Sequence, residues 1–232
     1  MYKRQPPSLE KLIQERADFL EAYQNAAYAQ DYIRFVREVD AAERRASPQS
    51  KRLRLTETVA RVLHKLMSYK DEYEVARLYT RSEFLAQLRE QFEGDFTLRF
   101  NLAPPLWSKR NTAGELMKAE YGPWVLSAFK VLARLKFLRG TAFDPFGYTK
   151  ERHEERRLIL EYCDLVRGLL AGLTEDTVAS AVQTAALAEQ VRGFGHVKER
   201  NLSNYRSTLA AAQDASPPEG VRTPQVAAAR AA

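Results

Sequence analysis

Apolar positions recur every three to four residues along most of this chain, and polar joints break the recurrence often enough to mark a series of helices. Leu12, Ile13, Phe19, Leu20 and Tyr23 form the first stripe, with Ser8 placed to cap the helix that carries it. Tyr28, Tyr32, Phe35, Val36 and Val39 form a second that runs to about Arg45, and Asn25 marks the break between them. Beyond the polar segment SPQSKRLR, a helix predicted from Thr56 carries Val59, Val62, Leu63, Leu66 and Met67. The string KDEYEVARLYT continues with Tyr73, Val75, Ala76, Leu78 and Tyr79. Ser82 then heads a further predicted helix, with Phe84, Leu85, Leu88 and Phe92, that Gly94 ends.

At Asp95 the period falls to two. Phe96, Leu98, Phe100 and Leu102 alternate with Thr97, Arg99 and Asn101, the pattern of a half-buried strand, until Pro104 and Pro105 stop it. A turn signal at Asn111 to Gly114 and the string LMKAEYG predict a returning strand over 115–121. An isolated hairpin is marginal in water, so this one is expected to lie against helices.

The stretch from Tyr121 to Leu173 is the expected centre of the fold. It reads as a buried helix (PWVLSAFKVLARLKFL), a tight loop (RGTAFDPFGYT) and a long amphipathic helix (KERHEERRLILEYCDLVRGLLAGL). Val125, Leu126, Phe129, Leu132, Ala133, Leu135, Lys136 and Leu138 follow helical spacing. Gly140 suits a left-handed helix end, and Thr149 suits the cap of the next helix. The two helices are predicted to pack as an antiparallel pair, with Trp124, Phe143, Phe146 and Tyr148 turned inward. Thr174 heads an alanine-rich helix, and RGFGHVKERN joins it to a last helix carrying Val197, Leu202, Tyr205 and Leu209. The fold class predicted is mainly α, a multi-helix bundle with one small embedded β-hairpin around 96–102 and 115–121. One helical domain is expected over 8–212, between disordered ends at 1–7 and 213–232.

Composition narrows the chemistry. The single cysteine, Cys163, excludes an internal disulfide and any cysteine-built zinc or iron–sulfur site within the chain. No apolar run reaches the ~20 residues of a membrane helix, and MYKRQPPSLEK has no apolar core of a secretory signal, so the expected setting is cytoplasmic. The net charge of +6 comes from 36 basic and 30 acidic residues that interleave, as in KERHEERR. That interleaving favours a salt-bridged, solvated surface over a nucleic-acid face.

The strings that resemble catalytic motifs are incomplete. His153-Glu154-Glu155 opens like a zinc-protease motif, but Arg157 stands where the second histidine belongs. His64, His153 and His196 fall on separate elements, and Cys163 sits among Leu160, Tyr162 and Leu165 as a packed thiol, so neither metal nor catalytic residues are assigned. Arg192, Gly193, Gly195, His196 and Lys198 are the anion-binding candidates, because a glycine turn before a helix exposes backbone N–H groups beside positive side chains. A dinucleotide fingerprint would need a third glycine where Lys198 stands and a strand before it, so the alternative reading is a glycine joint that touches a partner.

Four strings carry a resemblance to a known family: KLMSYKDEYEVARLYT (65–80), FEGDFTLRFNLAPPL (92–106), LKFLRGTAFDPFGYTKERHEER (135–156) and VRGFGHVKERN (191–201). Together they resemble the C-terminal region of fused indolepyruvate ferredoxin oxidoreductases, over about Leu9 to Leu209. The resemblance implies membership of an enzyme that decarboxylates aryl pyruvates with thiamine diphosphate, passes electrons through iron–sulfur clusters to ferredoxin, and yields an acyl-CoA. The thiamine motif that opens Gly-Asp-Gly is absent, since Gly94-Asp95 is followed by Phe96, and the cysteine run for clusters is absent too. Asn101 stands where the family pattern has a histidine. No cofactor or catalytic role is therefore carried onto any residue here.

The resemblance implies a non-catalytic scaffold or docking domain, a fragment of a longer polypeptide. Its expected partners are the catalytic domains of the same polypeptide or a second protomer, with ferredoxin serving the parent enzyme. The alternative is a freestanding helical adaptor for a protein or polyanion. A third reading places a small anion or CoA phosphate around Arg192 to Lys198.

Overall fold

Two short side chains set the start of the bundle. Ser8 accepts a hydrogen bond from the Lys11 backbone N–H, and Asn25 accepts one from the N–H of Tyr28. In both helices one otherwise unpaired N–H of the first turn is satisfied at the predicted place. The structure is a computed structural model that describes residues 8–92, 94, 97–103, 117–193 and 195–215.

Within those residues the helices are α1 (Leu9–Tyr23), α2 (Ala26–Ala46), α3 (Arg54–Met67), α4 (Glu72–Tyr79), α5 (Ser82–Gln91), α6 (Val125–Arg134), α7 (Lys150–Ala171), α8 (Val178–Ala186) and α9 (Gly195–Ala215). Strands β1 (Phe100–Leu102) and β2 (Ala119–Tyr121) pair antiparallel, with Phe100 opposite Tyr121. The fold is mainly α with one small hairpin. Phe96, the prolines and the turn residues of the predicted hairpin, and positions 115–116, lie outside the described residues, as do 1–7 and 216–232. The last helix runs to Ala215, past the 212 at which the domain was predicted to end.

The apolar stripes close two cores. The larger draws Leu20, Val36, Val39, Val59, Leu63, Tyr162, Val166 and Tyr205 from α1, α2, α3, α7 and α9, with Ala181 and Ala185 from α8. Burial of each large side chain of this kind contributes roughly 1.5–3 kcal/mol. The smaller gathers Ala76 of α4, Phe100 of β1 and Val125 and Phe129 of α6. Tyr79 stacks on Phe129 at 5.6 Å between ring centroids and meets Phe100 edge-on at 5.5 Å, so the hairpin does lie against helices.

Several expectations need correction. The helices α6 and α7 do not form an antiparallel packed pair: α6 packs on α4, while α7 packs on α2, α3 and α8. The reason is that Val125 and Phe129 of α6 belong to the smaller core, whereas Leu158, Tyr162 and Val166 of α7 belong to the larger. The predicted single helix PWVLSAFKVLARLKFL stops at Arg134 and continues as a 3-10 turn over Leu135–Leu138. Thr174 opens a turn instead of the helix, which begins at Val178.

The helix α3 begins at Arg54, two residues before the predicted Thr56, and no side chain of its own N-cap, Leu53, caps it. Glu43 of α2 reaches across, fully buried, and accepts hydrogen bonds from the N–H groups of Leu55 (2.9 Å) and Thr56 (2.8 Å) and from the Thr56 hydroxyl (2.7 Å). One carboxylate thereby supplies the partners that the first turn of α3 lacks.

Of the four aromatics predicted to face inward, only Phe146 is buried, edge-on to Tyr73 at 5.4 Å. Trp124 is 62%, Phe143 81% and Tyr148 66% exposed.

Candidate functional site

The loop after α6 is built around two charges. Gly140 adopts a φ of +75°, which ends the 3-10 turn and lets the chain reverse. Just before it, Arg139 points into the protein and donates from Nε and Nη2 to the two carboxylate oxygens of Asp71, at 2.5 and 2.9 Å. Its Nη1 donates to the backbone carbonyl of Tyr23 at 2.5 Å, and its guanidinium lies 3.7 Å from the centre of the Tyr23 ring. Lys136 donates to the carbonyls of Ala22 (2.6 Å) and Glu21 (3.2 Å). Two cations from one turn thus satisfy the unpaired carbonyls at the end of α1, where the helix dipole also favours positive charge. Burial alone would lower the Arg139 pKa, but the hydrogen bond and charge of Asp71 hold it above its usual range.

Asp71 serves two structures. It caps α4, accepting from the Glu74 N–H at 2.8 Å, while it binds Arg139. Asp144 plays the matching part in the loop. Its carboxylate accepts from the N–H groups of Gly140 (2.8 Å) and Phe146 (3.1 Å) and from the Tyr73 hydroxyl (3.0 Å). The loop from Arg139 to Thr149 is therefore held from below by buried polar bonds, and its outer side chains, Phe143 and Tyr148, stand on a fixed base.

A second group of charges lies where α4, α7 and α9 approach. Arg152 Nη1 donates to Glu155, Lys198 of α9 donates to the other oxygen of Glu155, and Glu72 lies 3.6 Å from Arg152. Burial raises the pKa of Glu72 above the usual carboxylate value, although Arg152 opposes the shift. Beside this group, between α4, the hairpin and α6, is a cleft of about 560 Å³. Among the described residues Val75, Leu102, Trp124, Val125, Ala128, Phe129, Leu132 and Phe146 form its apolar walls, and Lys70, Asp71, Glu72 and Arg152 its polar end. This size and lining are those of a small-molecule site.

The anion-binding candidates are divided by the structure. Gly193 and Gly195 have φ of +97° and +52°, so the joint before α9 uses the backbone freedom of glycine. Lys198 turns to Glu155, while Arg192 lines a shallow hollow of about 340 Å³ with Arg61, Lys65 and Glu189. His196 is exposed, and Phe194 lies outside the described residues. Lys65 donates to the Glu189 carbonyl at 2.6 Å. Burial lowers its pKa, and Arg192 and Lys198 push the same way against the attraction of Glu189. Arg61 and Lys65 join this cationic hollow from α3, more than a hundred residues away along the chain, so no local pattern announces them.

Cys163 and His64 are both packed into the fold. Burial raises the Cys163 thiol pKa to about 11, far from that of a nucleophile at neutral pH. His64 meets the Phe19 ring edge-on at 5.2 Å, and burial, helped by Arg16, lowers its pKa to about 4. Among the described residues no three His, Cys, Asp or Glu side chains are grouped to hold a metal, and no helix is long and apolar enough to cross a membrane.

A family model matches residues 9–211, and its description is that of a family of unknown function. No curated protein and no solved structure matches the chain.

Proposed function

The chain belongs to that family, DUF6537, and from the resemblance of four of its strings and an exposed aromatic stretch we propose that it is a non-catalytic docking domain of an indolepyruvate:ferredoxin oxidoreductase. On this reading thiamine diphosphate, the iron–sulfur clusters and the CoA substrate are handled by other parts of the enzyme, in the cytoplasm. The domain presents a shaped surface to the catalytic domains of its own polypeptide or of a second protomer.

The observation that carries the reading is the set of large apolar side chains left in water on one continuous stretch. Trp124 just before α6, Val131 of α6, Phe137 of the 3-10 turn, and Phe143 and Tyr148 of the loop are all at least 60% exposed. Scattered exposed apolar residues are ordinary, but several aromatics on one rigidly supported stretch match the anchors of protein interfaces. The Arg139–Asp71 pair and Asp144 hold that stretch in place before any partner arrives, which lowers the ordering cost of association. The four strings that resemble the oxidoreductase are the support for naming its catalytic domains as the partner.

The chain alone, given indolepyruvate, CoA, thiamine diphosphate and oxidised ferredoxin, is expected to reduce no ferredoxin. Measurable turnover would overturn the proposal.

A further inference from the structure

We propose that the cleft between α4, the hairpin and α6 is a binding site for a small uncharged molecule, apolar except for one hydroxyl or N–H group, which donates a hydrogen bond to the carboxylate of Glu72. The docking reading neither requires nor supplies such a ligand.

The walls set the body of the molecule. The cleft of about 560 Å³ falls within the range of small-molecule sites, and Val75 of α4 with Val125, Phe129 and Leu132 of α6 make its sides apolar. Such walls gain free energy by covering apolar surface and offer nothing to a highly hydrated ligand.

Charge argues against an ion. The charged side chains that line the cleft, Lys70, Asp71, Glu72 and Arg152, are two of each sign. The groups next behind them balance as well, Arg139 and Lys198 against Glu151 and Glu155. Arg156 and Asp144, both bonded to the loop after α6, again cancel. With no excess of either sign, an ion would leave water for an apolar cleft that holds no counter-charge for it.

Glu72 sets the polar group. Among the described residues its Oε2 is buried and accepts no hydrogen bond, and its Oε1 stands 3.6 Å from Arg152 Nη2, beyond hydrogen-bond reach, while Arg152 commits Nη1 to Glu155. A buried acceptor without a donor carries a free-energy cost, which an O–H or N–H on a ligand removes. Burial raises the Glu72 pKa, Asp71 and Glu151 add to the rise, and Arg152 and the residue's own N–H only partly offset it, as suits a carboxylate short of donors. Since no described side chain holds either oxygen by a hydrogen bond, the carboxylate can turn about its terminal torsion to meet a donor in the cleft.

The test is equilibrium dialysis of the whole chain at neutral pH against 2-naphthol, its methyl ether 2-methoxynaphthalene, the anion 2-naphthoate and the cation 2-naphthylmethylammonium. Naphthol is expected to bind saturably at one site, about tenfold tighter than the ether, as one hydrogen bond to a charged acceptor would give, and both ions are expected to bind more weakly than naphthol. Glu72→Met should bring naphthol down to the affinity of the ether and leave the ether unchanged. Ala128 is exposed and lines the cleft, so Ala128→Trp fills it without disturbing either core and is expected to abolish binding of both. Circular dichroism checks that both variants fold, and the comparison of naphthol with its ether needs no variant. Absence of saturable naphthol binding, equal affinity of the native chain for naphthol and the ether, tighter binding of either ion, or naphthol binding that survives Ala128→Trp in a folded variant would each overturn the proposal.

Discussion

Arg139 and Asp71 meet as a two-point ion pair 68 residues apart in sequence, both almost wholly out of water, and the pair joins the end of α1, the start of α4 and the loop before α7. A buried pair of this kind adds little stability compared with well-packed apolar residues, but breaking it strands a charge. Arg139→Ala is expected to destabilise the chain by roughly 3–5 kcal/mol in urea unfolding. Arg139→Lys should recover only a minor part, because an ammonium cannot span both oxygens and also reach the Tyr23 carbonyl. The double variant Arg139→Met with Asp71→Asn should be more stable than Arg139→Ala alone. Equal stability of all three would show that the pair is incidental.

Glu43 gives a second, independent test of how the bundle is held. Glu43→Ala leaves the N–H groups of Leu55 and Thr56 without their buried acceptor and is expected to cost about 2–3 kcal/mol. Glu43→Gln keeps one acceptor oxygen and should cost less. Hydrogen exchange would show whether the loss falls first on the amides of the α3 first turn, as this cap requires.

His64 sets a pH dependence whose sign follows from its environment. In the folded chain its pKa is lowered to about 4, whereas the unfolded chain titrates near 6.5. The unfolded state therefore takes up the proton first as pH falls. Stability due to the neutral ring is complete above pH 6.5 and is lost between 6.5 and about 4, by up to roughly 3 kcal/mol. Unfolding free energies measured across that window should fall more steeply for the native chain than for His64→Leu. Parallel curves would remove His64 as the cause.

Phe143→Asp and Phe137→Asp separate surface from core. Both side chains are well exposed, so each change is expected to shift stability by no more than about 0.5 kcal/mol. A larger loss in thermal or urea unfolding would mean that these rings support the fold and are not free for a partner.

The elements visible in the sequence are those whose cause is local. Ser8, Asn25 and Thr149 each accept from a backbone N–H three residues on; Ser8 and Thr149 are legible as caps from spacing, and Asn25 as a break between two helices. Gly140 and the alternation ending at Leu102 are equally local. What stays hidden is pairing across distance. Nothing near Glu43 says that it will serve Leu55, and nothing near Arg139 points to Asp71. The stripe on α6 shows that it buries Val125 and Phe129 but not that α4 is the surface it buries them on. Phe143 and Phe146 are the same residue three positions apart, yet Phe146 packs edge-on to Tyr73 with its N–H held by Asp144 while Phe143 is exposed. Lys198 is recognisable as a cation beside a glycine joint, yet its engagement with Glu155, 43 residues away, is a property of the fold.

The central claim, that the exposed stretch from Trp124 to Tyr148 docks on the catalytic part of an indolepyruvate ferredoxin oxidoreductase, is tested most directly by calorimetry. The chain is titrated against an indolepyruvate ferredoxin oxidoreductase truncated before this domain. Saturable binding with Kd in the micromolar range or tighter, lost in Phe143→Asp and Phe137→Asp while both variants stay folded, is the predicted result. Absence of binding by the native chain, or binding that neither substitution changes, would contradict it.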